Sequence, residues 1–135
     1  MQDIDSIMKM LDWNNDPDVQ ALGISQARQV KCIKAFFQPT TSEYSKSVWE
    51  NCAIVISSHT DSELALYLPD MLVWMQDLNW PGAEIIFQRL VQYSDKTDLY
   101  SLVSRLIPAL AAIGDDVWLD NIRNLIKEAK LETEI

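Results

Sequence analysis

Residues 72–86 read LVWMQDLNWPGAEII, and the fold turns on what happens in the middle of them. An apolar run stops at Gln76 and Asp77, passes through Asn79, Trp80 and Pro81, and becomes apolar again. The stretch is either the wall of a ligand pocket or the corner between two helices. The corner reading has a mechanism. Asp77 or Asn79 offers a side-chain oxygen to cap a new helix, and Pro81 suits a first turn, where no N–H is needed. Trp74 and Trp80 then brace the two sides of the bend. If Trp80 is buried there, truncation to Ala costs ~3–5 kcal/mol.

Outward from this corner the chain has helical period nearly throughout. Leu64, Leu68, Met71, Leu72 and Met75 form one stripe, started by Asp61 and Glu63. Leu99, Val103, Leu106, Leu110 and Ile113 form another, closed by Gly114. Trp118, Ile122, Leu125, Ile126 and Ala129 form a third. Ile4, Ile7, Met8 and Leu11 mark a short helix; Val19, Leu22, Val30 and Ile33 a longer one; Val48, Cys52, Ala53 and Ile56 a further one. The aperiodic, Ser/Thr-rich residues 38–46 predict a loop, and residues 94–98 a shorter break. Neither is an interdomain linker, so residues 1–135 are read as a single domain.

Asn15-Asp16-Pro17 returns as Asn79-Trp80-Pro81 after 64 positions. A half-period of about 32 places another corner near Ser47, and Gly114–Trp118 supplies a fourth. Pro69 and Pro108 both fall inside first helices, where proline kinks or delays the helix. The expected fold is all-α, a HEAT-like right-handed stack of about four antiparallel helix pairs. Its unit is shorter than the roughly forty residues usual for that class. A single pair cannot cover its own apolar face, so neighbours stack to bury a shared core.

Composition narrows the function. Twenty acidic residues against 11 basic give a formal charge of −9, which repels phosphate backbones and suits basic partners. Lys31, Lys34 and Lys46 form a loose basic region, but Glu43 interrupts it. A DNA-glycosylase-like enzyme, which needs a basic groove, is therefore disfavoured. No apolar run approaches the ~20 residues of a membrane span. The N-terminal sequence lacks the shape of a secretory signal, so a cytoplasmic protein is expected. Cys32 and Cys52 sit in apolar surroundings and read as buried, inert thiols.

The string LVWMQDLNWPGA resembles a small bacterial family known only as a domain of unknown function. Its signature is approximately Leu-x-Trp-Leu-Gln-Asp-x-Asn-Trp-Pro-x-Ala. Leu72, Trp74, Gln76, Asp77, Asn79, Trp80, Pro81 and Ala83 match it, with Met75 in place of Leu. Val48–Ala53 and the segment LDWNNDPDVQALGI are also similar to that family, so the resemblance covers most of residues 1–95 and fades over the last third. It implies an all-helical HEAT-like fold and carries no activity. Families of this build include immunity proteins that neutralise a toxin, an analogy of fold only.

No arrangement in the sequence specifies catalysis. His59 lies in SSHTD, but Ser58, Thr60 and Asp61 are merely adjacent to it, and a triad is assembled from distant positions. Asp12, Asp16, Asp18, Asp115 and Asp116 read as helix-start carboxylates. A calcium loop starting at Asp12 fails, because its central Gly and terminal Glu are missing. No Gly-rich phosphate loop is present. The expectation is a non-enzymatic module that binds another protein, in its specific form an immunity protein facing a basic toxin, with no cofactor, metal, nucleic acid or membrane partner. The alternative is a small-molecule-binding or enzymatic helical-repeat protein. Gln76 to Pro81 with Trp74 are mainly structural in this reading. Trp13, Asn14, Trp49, Glu50, Asp115, Asp116 and Trp118 are the candidate interaction residues.

Overall fold

The computed structural model describes residues 3–131, and among them every regular element is helical. The chain begins with α1 (Ile4–Leu11) and α2 (Pro17–Ala27), packed on each other as a hairpin. Asp3 caps α1 by accepting from Ser6 N at 2.8 Å, and Ile7, Met8 and Leu11 point inward. The inner face of α2 differs from the expected stripe. Val19 and Leu22 are exposed, while Gly23 and Ala27 are buried. A Cβ on Gly23 would stand 2.7 Å from Met10 Cβ. Small residues here let two backbones approach, and large apolar residues are left outside. The helix also ends at Ala27, so Val30 and Ile33 lie beyond it.

A 3₁₀ turn (Ile33–Phe36) and the single turn α3 (Gln38–Thr41) follow. Residues 38–46 are thus not wholly loop. Gln38 is fully buried, donating to Ala35 O at 2.8 Å and accepting from Tyr44 N at 3.0 Å. Cys32 is exposed, a correction to its expected burial. The reason is the period: a 3₁₀ turn repeats every three residues, so Ile33 and Phe36 face inward and Cys32 does not. Cys52 is buried against Met8, and burial pushes its thiol up to about 12.

After a second 3₁₀ turn (Lys46–Val48), α4 (Trp49–Ser57) runs through the centre, with Cys52, Ala53, Val55 and Ile56 fully covered. It packs against α2 on one side and α7 (Ala83–Val91) on another. The stretch between them is a broken rod: α5 (Asp61–Leu64), a 3₁₀ turn (Ala65–Tyr67), α6 (Leu68–Val73) and a last 3₁₀ turn (Trp74–Gln76). Thr60, rather than Asp61, caps α5, in a reciprocal box with Glu63. Pro69 has no N–H to return to Ala65, which accounts for the break before it. The five stripe residues Leu64, Leu68, Met71, Leu72 and Met75 are nonetheless all buried.

The chain closes with α8 (Lys96–Ile113) and α9 (Asp116–Ala129), a second hairpin. Pro108 sits inside α8 without ending it. Gly114 stops that helix in a left-handed conformation, as expected, although Ile113 beside it is exposed. α9 packs on α7 and on the turn Trp74–Gln76. No helix of the described residues is long and apolar enough to cross a membrane.

Candidate functional site

Two corners of the chain dock on the start of α4. The first spans residues 12–16. Asp12 Oδ1 accepts from Asn14 N at 2.9 Å and Oδ2 from Ser47 Oγ at 2.9 Å, which holds its carboxyl below the usual range. Trp13 N donates to Ser47 O at 3.0 Å. Asn51, nearly buried on α4, donates to Leu11 O at 2.7 Å and to Gln20 Oε1 at 2.9 Å. Gln20 in turn donates to Asn15 O at 2.7 Å. Buried polar groups of this kind must be satisfied, and here they tie both sides of the corner to α4.

The second corner is the Asp77–Gly82 bend. Asp77 Oδ1 accepts from Asn79 N at 2.8 Å, so it closes a turn rather than capping α7. Pro81 also precedes α7 instead of opening it; the cap position is Gly82, at φ +83°. A Cβ there would meet Ala53 Cβ at 2.7 Å and Trp49 O at 2.9 Å. Glycine is therefore required both by the backbone angle and by the approach to α4. Trp74 is fully buried and its Nε1 donates to Pro81 O at 3.1 Å. Trp49 meets Trp74 edge-on at 6.1 Å and Trp80 edge-on at 5.5 Å between ring centroids. Such pairs add ~0.5–1.5 kcal/mol beyond area burial. The Nζ of Lys46 lies 5.6 Å from the Trp49 ring and 5.8 Å from that of Trp80.

Between the corners lies a cleft of about 350 Å³. Trp13, Leu78, Asn79, Trp80, Pro81, Gly82 and Ile85 line it, together with the carboxylates Glu50 and Glu84. Trp13 is 46% exposed, Trp80 is half-buried, and Glu50 and Glu84 are exposed. Glu84 accepts from Gln88 at 2.9 Å. Neither carboxylate has an ion-pair partner among the described residues. Of the sequence candidates, Trp13, Glu50, Asn79, Trp80 and Pro81 thus meet in one place. Gln76, Asp77 and Trp74 stand behind it, and Asn14 shapes the first corner. Glu84 and Gly82 also line it, and neither is among the sequence candidates. Gly82 had a signal, since the chain has only three glycines.

Asp115, Asp116 and Trp118 lie elsewhere, at the start of α9. Asp115 caps that helix through Trp118 N at 3.0 Å. Trp118 Nε1 donates to Leu72 O at 3.1 Å, beside an apolar groove of about 420 Å³ lined by Leu72, Val73, Leu102, Leu106 and Ala109.

The match that decides relationship covers the second corner and not the first. The chain belongs to the family described as Domain of unknown function (DUF5071), whose model matches residues 50–134. The match runs from Glu50 through α9 and so includes the final third, where the resemblance read from the sequence faded. No curated protein and no solved structure matches the chain.

The chemistry around His59 is structural in form. Its Nδ1 lies 3.5 Å from Glu63 Oε2, and its Nε2 is buried with no hydrogen-bond partner among the described residues. Its carbonyl and that of Ser57 accept from Arg89, at 3.0 and 3.2 Å. Arg89 also pairs with Asp61 at 2.5 Å. The hydroxyl of Ser94, with help from its N–H and from Arg89, holds the Asp61 carboxyl at about 2. Among the described residues no three His, Cys, Asp or Glu side chains converge as metal ligands.

Proposed function

We propose that the protein is a non-enzymatic interaction module that binds another protein through the face carrying the two corners. The immunity-type form is the specific reading: an acidic surface covers the basic site of a toxin. The carrying observation is the cleft of about 350 Å³, where two tryptophans lie beside two carboxylates that have no ion-pair partner among the described residues. Tryptophan is enriched at binding hot spots, and complementary charge sets which partners approach. The formal charge of −9 has the sign that attracts a basic protein. We read the scaffold as a HEAT-like right-handed stack of about four helix pairs; three pairings, of α1 with α2, α4 with α7, and α8 with α9, support this reading.

The test is co-expression with each reading frame that neighbours the gene. A toxic neighbour should be neutralised by the wild-type chain and not by E50K/E84K. Neutralisation of no neighbour overturns the immunity form. Neutralisation that survives E50K/E84K moves the interface off this face.

A further inference from the structure

The cleft between the corners has a composition that selects its occupant. Trp13 and Trp80 contribute aromatic surface to its lining, and Glu50 and Glu84 contribute negative charge. Anions are repelled by both carboxylates. A neutral apolar group would strip water from them with no return. A cation satisfies both features, because aromatic rings attract positive charge through the quadrupole of the ring face.

A second, separate observation points the same way. The Trp80 ring already serves as a cation platform, with Lys46 Nζ 5.8 Å from its centroid. Lys46 is not part of the cleft lining, and one ammonium against two carboxylates leaves the surroundings negative. Among protein cations, arginine fits better than lysine. Its guanidinium is flat and weakly hydrated, and it can lie on a ring while its edge donates to carboxylates. Lysine offers a compact, strongly hydrated charge instead.

We infer that the cleft is a receptor site for an arginine side chain displayed by the partner protein, with the guanidinium on the Trp13 and Trp80 rings and its N–H groups on Glu50 and Glu84. This rests on the partner-binding reading above and names the chemistry that the partner must present.

The experiment needs no partner. Uniformly ¹⁵N-labelled full chain is titrated with N-acetyl-arginine amide, and the indole N–H signals of the five tryptophans are followed. The signals of Trp13 and Trp80 should move saturably, while those of the buried Trp74 and the remote Trp118 stay in place. The neutral isostere N-acetyl-citrulline amide should move none of them. E50Q/E84Q, with its Trp74 signal unshifted as proof of folding, should bind the arginine amide about tenfold more weakly. W13A should lose the response of Trp80 as well.

Equal shifts from citrulline amide, movement of all five signals together, or full binding by E50Q/E84Q each overturn the inference. Equal response to N-acetyl-lysine amide overturns the choice of arginine. If Trp13 and Trp80 respond as expected while no neighbouring gene product is neutralised, the site stands and the immunity reading falls. If a toxin is neutralised through this face and the arginine amide does nothing, the reverse holds.

Discussion

The two corners use one turn for opposite ends. In each, an aspartate accepts from the N–H of an asparagine two residues on, Asp12 from Asn14 and Asp77 from Asn79. This pairs Asn14 with Asn79, whereas the repeat in the sequence pairs Asn15 with Asn79. Asn15 works differently, reaching back to Lys9 O at 2.5 Å. After the turn the corners diverge. Pro17 opens α2 directly, but Pro81 is followed by Gly82 before α7 begins. Trp13 faces outward, while Trp80 packs on Trp49. The same local chemistry thus bends the chain twice, and the tryptophan is left largely exposed in one corner and packs on α4 in the other.

The largest expected losses fall at the second corner. Trp74→Ala should lower unfolding free energy by ~3–5 kcal/mol, since a fully buried indole and its bond to Pro81 go together. Gly82→Ala should cost about 3 kcal/mol, through the positive φ and the collision with α4. Its counterpart at the first corner is Asp16, whose side chain makes no cap bond, so Asp16→Ala should cost about 0.5 kcal/mol or less. Urea titration measures all three, and a tolerated Gly82→Ala would remove the asymmetry between the corners.

The turn around His59 holds by charge where the second corner holds by aromatic packing. Asp61→Asn should cost about 2 kcal/mol, because Arg89 loses its charged partner in a mostly covered position. Asp61 is held at about 2, below its ordinary 3.8. Its stabilising effect is therefore complete above pH 4 and fades as the pH falls toward 2. Acid titration of wild type against Asp61→Asn should show the gap between them closing over that window. A constant gap would mean that the ion pair is incidental.

The smallest stability effect belongs to Trp13. Trp13→Ala should leave the unfolding free energy within about 0.5 kcal/mol of wild type while the arginine response is lost. A large loss of stability instead would make both corners braces and erase the contrast between them.

Much of this architecture was legible because large apolar residues at helical spacing report their own burial. Ile7, Met8 and Leu11, then Cys52, Ala53 and Ile56, then Ile122, Leu125, Ile126 and Ala129 are all covered as read. The departures have two causes, small residues facing inward in α2 and a tighter helical period after Cys32. α2 turns its small residues inward, so Val19 and Leu22 misled. The hydropathy around Cys32 implies burial, and the tighter period of the 3₁₀ turn that follows leaves it exposed. The cleft was half legible. Trp13, Glu50 and Trp80 could be singled out one by one, but their meeting depends on the first corner docking through Ser47 and Asn51 and the second through Trp49 and Ala53, and no spacing announces that. Glu84 looks in sequence like any acidic residue in a first turn.

The bond from Trp118 to Leu72 has a neighbour of the same span. Asn121 donates to Met75 O at 2.8 Å, again across 46 residues. Both carbonyls belong to the broken rod of residues 61–76, and both donors stand on α9. The two bonds act as a clasp: the end of the rod, where regular helix gives way to a 3₁₀ turn, is held from outside by side chains 46 residues further along the chain.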